Sequence, residues 1–252
     1  MGVFYRAVYE IQEFTLLCAA AVVNIFRKPR YVQDTLQQMD IIGVGSILIV
    51  MLTGFFTGGV LALQSSKSLK VFGAVNLTGQ LVSLSLIKEL GPVLTALMMA
   101  GRVGSGIASE IGSMVVTEQI DAMRALGTDP TKKLVTPRVI ACTTMVPLLT
   151  VVSDVFGLIG GWITSFYTLR LNTSLYWSTA LRSIDYNNVL EGLTKPVVFG
   201  FIIGMIGCYF GLGTKGGTQG VGRNTTRAVV TASVLVIVSD FFLSKIILEL
   251  RY

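Results

Sequence analysis

The feature that most constrains this chain is a run of 26 residues, from Ile41 to Ser66, without a charged side chain. The hydrocarbon core of a bilayer is about 30 Å thick, and an α-helix of about 20 apolar residues crosses it. Two further runs, Pro196 to Thr214 and Ala228 to Ser244, contain Asp240 as their one charge. These runs predict membrane-spanning helices, because a helix satisfies its backbone hydrogen bonds within its own segment.

Two other apolar runs contain interruptions. Val71 to Gly101 is broken by Lys88 and Glu89, so we expect either one bent span or two half-length segments. Val139 to Leu169 contains Asp154 as its one charge and is long enough to cross a bilayer. Together the runs predict five spans.

The N-terminal region differs from these spans. Its apolar stretch, Phe14 to Phe26, is too short to cross a bilayer and is flanked by charges, which is typical of a helix lying in the membrane interface. The predicted fold class is an all-α polytopic membrane protein. We expect a single domain over residues 1–252, with the interfacial helix in 1–40 and five transmembrane helices in 41–252.

The composition agrees with a membrane protein and excludes several functions. Charged residues make up 13% of the sequence, about half their usual share in soluble domains. The net charge is +6, but the basic residues are spread over loops, so lipid headgroups are a better partner than nucleic acid. The sequence has no histidine, which excludes Ser-His and Cys-His catalysis and histidine-bound metals. We expect no metal site and no cofactor bound by this chain.

The distribution of basic residues predicts the orientation. If the N-terminus is cytoplasmic, the cytoplasmic segments are 1–40, 102–138 and 215–227, and they contain 12 of the 20 lysines and arginines. Cytoplasmic loops carry the excess of basic residues in membrane proteins. We therefore expect a cytoplasmic N-terminus and, after five spans, a C-terminus on the opposite side of the membrane.

A short charged helix is predicted between the second and third spans, from Thr117 to Gly127. Thr117 is suited to the N-cap and Gly127 to the C-cap, and Ile120, Met123 and Leu126 share one face. Two interpretations stay open. The segment is either a loop helix packed on the membrane surface or a coupling helix that inserts into a groove of a cytoplasmic ATPase.

Charged residues inside the apolar runs are candidates for function. Lys88 and Glu89 either form a polar floor for a phospholipid headgroup or lie at a water-exposed helix end. Asp154 and Asp240 either form the acid pair of an intramembrane aspartyl enzyme or make hydrogen bonds between helices, and their flanking sequences favour the second. Gly211 to Gly216 matches G-x-G-x-x-G, but the strand and helix of a nucleotide-binding unit are missing, so we expect no nucleotide site.

Glycines recur with helical spacing in four pairs, which lets helices approach closely. Either these rows pack helices within one chain, or they form the seam of a homodimer. The pairs are Gly54 and Gly58, Gly157 and Gly161, Gly200 and Gly204, and Gly207 and Gly211.

The region from Glu89 to Ala122, with ELGPV, AGR, EIG and TEQIDA, resembles the MlaE family of lipid-transport permeases. So do PLLTV at Pro147 and GVGRNTTRAVV from Gly220 to Val230. The resemblance implies the non-catalytic transmembrane subunit of an ABC transporter in the bacterial inner membrane. Such a transporter moves phospholipids between that membrane and a periplasmic MCE-domain carrier and so maintains outer-membrane lipid asymmetry.

The resemblance also implies partners and site residues. The partners are a second copy of the chain, two copies of a cytoplasmic ABC ATPase that uses ATP and Mg²⁺, a ring of MCE-domain proteins, in some systems a small STAS-domain protein, and the phospholipid. The implied lipid pocket consists of Leu61, Ser68, Leu69, Phe72, Lys88, Glu89 and Lys195. The residues implied for coupling to the ATPase are Glu118, Gln119, Ile120, Asp121, Met123 and Arg124.

Two other classes of function compete with the permease. One is a secondary transporter, which usually has inverted repeats and more spans. The other is an intramembrane aspartyl enzyme that uses Asp154 and Asp240. The central motif favours the permease over both.

Overall fold

The computed structural model describes residues 3–28 and 31–251, and these residues form helices and connecting turns without β-strands. The α-helices are α1 (Val3–Phe26), α2 (Val32–Gly43), α3 (Ile47–Val71), α4 (Thr78–Ser85), α5 (Gly91–Met99), α6 (Ser105–Val116), α7 (Gln119–Ala125), α8 (Thr136–Leu169), α9 (Thr173–Arg182), α10 (Tyr186–Leu212) and α11 (Gly217–Arg251). Short 3₁₀ segments lie at Val44–Ser46 and Val75–Leu77, and π-helical segments lie at Leu86–Leu90, Ala100–Gly104 and Thr131–Val135.

Six helical stretches in the described part of the chain are long and apolar enough to cross a bilayer. They are Val8–Ile25, Val32–Val71, Val75–Val116, Thr131–Leu169, Tyr186–Leu212 and Gly217–Glu249. The predicted all-α polytopic membrane fold is confirmed. The last five stretches contain the five predicted spans, and the first is an addition to the predicted number.

Helix α1 is longer than the sequence indicates. It has 24 residues, because it begins at Val3 and continues through the charged residues that precede Phe14. The prediction that this region is too short to cross a bilayer is therefore wrong, since Val8–Ile25 has the required 18 residues. The apolar run alone underestimates the helix, because charged residues favour helix formation as well as apolar ones do.

Both ends of α1 contact the same end of the helix bundle. The Tyr209 hydroxyl, near the end of α10, donates a 3.4 Å hydrogen bond to the Glu10 carbonyl, and its ring packs edge-on against Phe14. The Lys132 ammonium, just before α8, donates to the Lys28 carbonyl at 2.5 Å. Helices α8 and α10 run antiparallel side by side, so these contacts share one end of the bundle. Helix α1 therefore lies across that end of the bundle, and its location in the membrane interface stays a prediction.

The second predicted span belongs to one continuous helical stretch, Val75–Val116. The interpretation as two half-length segments is therefore wrong. Two π-helical segments, Leu86–Leu90 and Ala100–Gly104, interrupt the regular α-helical geometry. Single π-helical turns redirect side chains and occur frequently at functional sites. The first of them contains Lys88 and Glu89.

The glycine rows pack helices within the chain. A Cβ atom at Gly58 would overlap the backbone of Gly157, and one at Gly54 would overlap Ser153, so α3 and α8 approach closely only because these side chains are absent. The other rows also face neighbours in the same chain, since Gly157 and Gly161 meet the backbone of α3, Gly200 and Gly204 meet α8, and Gly207 and Gly211 meet α6. The intrachain interpretation is confirmed, and these surfaces are not available for a dimer seam.

Helix α10 is the most enclosed of the spans and contacts α5, α6, α8 and α11. Its buried Phe199 and Ile203 join Met99 and Val146 in the main hydrophobic core. Helices α1 and α11 are the most exposed. Because other helices surround α10, the charged residues near its beginning are held inside the protein.

Candidate functional site

Two ion pairs join the beginning of α10 to the π-helical segment Leu86–Leu90. The Lys88 ammonium lies 3.1 Å from Glu191 Oε2, and the Lys195 ammonium lies 2.7 Å from Glu89 Oε2. Glu191 and Lys195 are four residues apart, so they lie on one face of α10. Two neighbouring charges on one helix thus meet the opposite charges on the other.

The π-helical geometry explains how two sequence neighbours reach the same helix. On a regular α-helix, adjacent side chains point about 100° apart and do not face one partner. The wider turn at Leu86–Leu90 lets both Lys88 and Glu89 contact α10. The break that the sequence shows at this point is therefore a change of helix type rather than a loop.

Helix α11 completes the site around the fully buried Lys195. The Lys195 ammonium lies 3.3 Å from Asp240 Oδ1, and it donates hydrogen bonds to Ser244 Oγ at 2.8 Å and to the Lys88 carbonyl at 3.0 Å. The Ser244 hydroxyl donates to Glu89 Oε1 at 3.3 Å. We call this group the charged cluster; it comprises Lys88, Glu89, Glu191, Lys195, Asp240 and Ser244.

The charged cluster is accessible on one side. The side chains of Lys195 and Glu191 are 0% and 6% exposed, whereas that of Glu89 is 45% exposed and that of Lys88 is 26% exposed. Three carboxyl groups face two ammonium groups, so the cluster contains one acidic group more than it has cations. Ionisable groups inside a membrane protein usually line a substrate pathway. The accessible Glu89 and Lys88 are therefore placed to contact a polar group of a ligand.

The cluster contains three of the seven predicted pocket residues, Lys88, Glu89 and Lys195. The sequence analysis does not identify Glu191 or Ser244, although a signal for them exists. Glu191 precedes Lys195 by four residues, and Ser244 follows Asp240 by four, so each pair lies on one helix face. Which of these polar faces pack against each other is known only from the tertiary structure. The role of the cluster in lipid binding stays a prediction.

The other four predicted pocket residues lie at the end of α3 and directly after it. Leu61 packs against an apolar cluster that includes Leu86, the first residue of the π-helical segment. Ser68 is exposed and Leu69 is half-buried, while Phe72 is 82% exposed beyond the end of the helix. These residues lie on and directly after a different helix from the charged cluster, and their contact with lipid stays a prediction.

The two intramembrane aspartates have different surroundings. Asp240 contacts Lys195 in the charged cluster, whereas the Asp154 carboxyl lies on α8 against the backbone of Gly91. No hydrogen bond joins the two carboxyl groups, and both residues lie in the described part of the chain. An aspartyl enzyme requires two carboxyl groups that share a proton. This arrangement does not supply that pair.

The predicted coupling helix is present as α7, with different ends. The helix begins after Glu118, which has the left-handed backbone angle φ of 59°, and Thr117 instead donates a hydrogen bond to the Ser113 carbonyl within the preceding helical turn. The prediction of Thr117 as N-cap is therefore wrong. Gly127, with φ of 75°, caps the end of the helix as predicted, and the cap is a Schellman motif. The Gly127 amide donates a hydrogen bond to the Arg124 carbonyl, and the Thr128 amide donates one to the Met123 carbonyl.

Helix α7 presents a polar surface and holds its apolar residues against the chain. Ile120 is 3% exposed, and Met123 packs against the main hydrophobic core. Two residues of the predicted apolar face, Ile120 and Met123, are therefore covered by the chain itself, and insertion of this helix into a groove of an ATPase stays a prediction. Leu126, the residue directly after α7, is also apolar, and it is 83% exposed. The predicted coupling residues on the exposed side are Glu118, Gln119, Asp121 and Arg124.

An ion pair outside the charged cluster fixes the helix that leads to α7. Arg138, 4% exposed on α8, lies 2.7 Å from Glu110 Oε1 on α6 and donates to the Leu134 carbonyl at 2.9 Å. Helix α6 is the last part of the continuous stretch Val75–Val116, whose other part contains Lys88 and Glu89. One helical stretch therefore runs from the charged cluster to the exposed helix α7. At 1.5 Å per residue it separates Glu89 from α7 by about 40 Å.

A comparison with models of known protein families shows which family the chain belongs to. The family model described as Permease MlaE matches residues 35–246, from within α2 to within α11. The chain belongs to this family. The match includes the charged cluster and α7 and leaves out α1, so the MlaE resemblance seen in the sequence is confirmed.

Relatives of the chain extend over most of its length. A probable ABC transporter permease protein of Rickettsia typhi is 43% identical over 94% of this chain and 91% of its own length. The intermembrane phospholipid transport system permease protein MlaE of Haemophilus influenzae is 37% identical over 83% of this chain and 81% of its own. The chloroplastic protein TRIGALACTOSYLDIACYLGLYCEROL 1 of Arabidopsis thaliana is 34% identical over 91% of this chain and 66% of its own.

Proposed function

We propose that this chain is the membrane-spanning subunit of an ABC transporter that moves phospholipids between the inner membrane and a periplasmic MCE-domain carrier. The observation that carries the proposal is the charged cluster, which is accessible inside an apolar bundle and lies on a continuous helical stretch that leads to α7. The names of the MlaE relative and of the Rickettsia permease support the substrate class and the ABC type. In this role the transporter maintains outer-membrane lipid asymmetry.

The cluster and the end of α3 divide the recognition of a phospholipid between them. Lys88 provides an ammonium group for the phosphate, and the accessible Glu89 carboxylate accepts hydrogen bonds from the rest of the headgroup. The apolar residues Leu61, Leu69 and Phe72 contact the acyl chains. Apolar contacts are nondirectional, so selectivity is loose for the chains and stronger for the headgroup.

Transport is a mechanical process in this proposal, and the chain itself performs no covalent step. Two copies of a separate ATPase bind and hydrolyse ATP with Mg²⁺, and each moves the α7 helix of one permease copy in a homodimer. Because α6 follows from the π-helical segment without a break, displacement of α7 moves Lys88 and Glu89 relative to α10. The charged cluster then alternates between an arrangement that is closed to the ligand and one that the ligand can reach.

The orientation in the proposal places α7 in the cytoplasm, where an ATPase reaches it. The N-terminus is cytoplasmic, α1 lies in the cytoplasmic interface, and five spans leave the C-terminus in the periplasm. The charged cluster is then toward the periplasmic half, where the MCE ring receives the lipid. A small STAS-domain protein is a further partner on the cytoplasmic side.

Co-purification tests the composition of this complex. The tagged chain, expressed with the genes that neighbour it, is purified in mild detergent and measured by native mass spectrometry. We expect two copies of this chain, two copies of an ATPase and bound phospholipid. Recovery of the chain without an ATPase would contradict the proposal, and a secondary transporter driven by an ion gradient would then be the better explanation.

A further inference from the structure

A groove about 930 Å³ in volume lies between α1 and the connection from α10 to α11. It is separate from the charged cluster, because it lies at the end of α10 rather than near its beginning. Its size is within the range of about 300–1,000 Å³ that is usual for small-molecule sites. The proposed transport cycle does not use this groove.

One wall of the groove is basic. Arg223 and Arg227 are four residues apart on α11, so both point from the same helix face, and Lys215 in the preceding turn adds a third cation. These three side chains make no hydrogen bond or ion pair with the described residues of the chain. Guanidinium groups bind phosphate through paired hydrogen bonds, which makes this wall suited to a phosphodiester.

The basic wall is held in place by a buried side chain. Asn224, 8% exposed, donates hydrogen bonds to the Phe210 carbonyl at 3.0 Å and to Thr214 Oγ1 at 3.3 Å. These bonds tie the first turns of α11 to the end of α10. The positions of Arg223 and Arg227 on either side of Asn224 are therefore fixed before a ligand binds.

The opposite wall, on α1, is acidic and apolar. Glu13 lines the groove, followed along the same helix by Leu16, Leu17 and Ala20. A cationic amine next to a phosphate would lie between Glu13 and the basic wall, while hydrocarbon would lie along the leucines. A membrane interface supplies this combination in one molecule, and α1 lies across the end of the bundle at that level.

We infer that this groove binds an aminophospholipid, such as phosphatidylethanolamine, from the leaflet at the α1 end of the bundle. Arg223 and Arg227 bind its phosphodiester, Glu13 binds its ammonium group, and Leu16 and Leu17 contact an acyl chain. The bound lipid links α1 to the start of α11 and so holds the interfacial helix against the bundle. The site does not depend on transport and needs no ATPase.

Photolabelling of the full chain tests this inference. The purified chain in uncharged detergent is irradiated with a phosphatidylethanolamine analogue that carries a diazirine next to the headgroup, and labelled peptides are identified by mass spectrometry. We expect label in residues 9–20 and 209–227. Arg223→Gln with Arg227→Gln should lower this label by at least about tenfold, because the loss of one charge-assisted hydrogen bond already has about that effect. Arg223→Lys with Arg227→Lys should retain more of it than the glutamines do.

Controls and competitors separate the possible ligands. Arg182→Gln, an exposed arginine at the end of α9, should leave the label unchanged. Unlabelled dioctanoyl phosphatidylethanolamine should displace the probe, while glycerophosphoethanolamine and inorganic phosphate should displace it poorly. Equal competition by inorganic phosphate would show an anion site and overturn the inference. It would also be overturned by unchanged labelling of the double glutamine variant, or by label only outside the two segments.

Discussion

The fully buried ammonium of Lys195 lies 2.7 Å from the half-exposed carboxylate of Glu89. Lys195 belongs to α10, the most enclosed helix, and Glu89 belongs to the helical stretch that ends at the exposed helix α7. The pair therefore connects the most enclosed helix of the bundle to the helical stretch that, in the proposed function, a cytoplasmic partner moves. Because the Glu89 side chain is 45% exposed, the pair also borders the accessible side of the cluster.

Removing the central cation should destabilise the protein strongly. Lys195→Met leaves Glu89 and Asp240 without the cation between them, and breaking a buried ion pair costs up to about 3–5 kcal/mol, reduced here because Glu89 is 45% exposed. We expect a lower unfolding temperature of the purified chain in detergent. Lys245→Met is the matched control, because its ion pair with Glu249 is exposed and contributes at most about 1 kcal/mol. Equal stability of the two variants would contradict the central position of Lys195.

The ion pair between Lys88 and Glu191 can be tested by exchanging its charges. Lys88→Glu places an additional carboxylate in a cluster that already has an excess of them, so we expect loss of lipid transport and a lower unfolding temperature, because the buried Glu191 then faces a like charge. Adding Glu191→Lys restores an opposite pair across the same two helices and should recover part of the transport. The measurement is ATP-dependent lipid transfer from proteoliposomes. Normal transport by Lys88→Glu alone, or no recovery in the double variant, would count against this role.

The exposed and buried sides of α7 should respond differently to substitution. Arg124→Glu alters the exposed side, where Arg124 pairs with Asp121 at 3.1 Å, so we expect about tenfold weaker retention of the ATPase with little change in unfolding temperature. Ile120→Ser alters the covered side and should lower the unfolding temperature instead, because a buried apolar contact is lost. Co-purification and thermal unfolding are measured on both variants. The assignment fails if Arg124→Glu retains the ATPase at the original level.

The ion pair between Glu110 and Arg138 should affect the coupling of ATP hydrolysis to transport. Glu110→Gln leaves Arg138 buried with one carbonyl partner, and since Glu110 is 47% exposed the expected loss is about 1–2 kcal/mol. We expect ATP hydrolysis by the assembled complex to continue while lipid transfer per ATP falls. Glu249→Gln, which weakens only an exposed pair, serves as the control. A proportional fall of hydrolysis and transfer would indicate a general folding defect rather than loss of coupling.

The sequence predicts the helices of this protein better than their ends. Charge-free runs identify the spans because bilayer thickness sets their length, independently of tertiary contacts. The start of α1 and the N-cap of α7 are predicted incorrectly, since a helix end depends on local backbone geometry that several residue types can adopt. Glu118 in a left-handed conformation is an example that residue preferences do not reveal.

The sequence predicts only part of the candidate site, because the remaining part depends on contacts between helices. Lys88 and Glu89 stand out because charges are rare in an apolar run, and Lys195 is identified through the family resemblance. Glu191 and Asp240 become part of the same site only through the packing of α10 against the π-helical segment and α11. Neither contact between helices can be predicted from the spacing of residues in the sequence. The helical type of residues 86–90 likewise follows from hydrogen bonding in the folded chain.

The most direct test of the account is lipid transfer by a reconstituted complex. Proteoliposomes that contain this chain, its ATPase and a fluorescent phospholipid are mixed with the soluble MCE-domain carrier, and transfer is followed with and without ATP. The account predicts ATP-dependent exchange of lipid between membrane and carrier that is lost in Lys88→Glu and restored in part by Glu191→Lys. Exchange at the same rate without ATP, or unaltered exchange in Lys88→Glu, would contradict it.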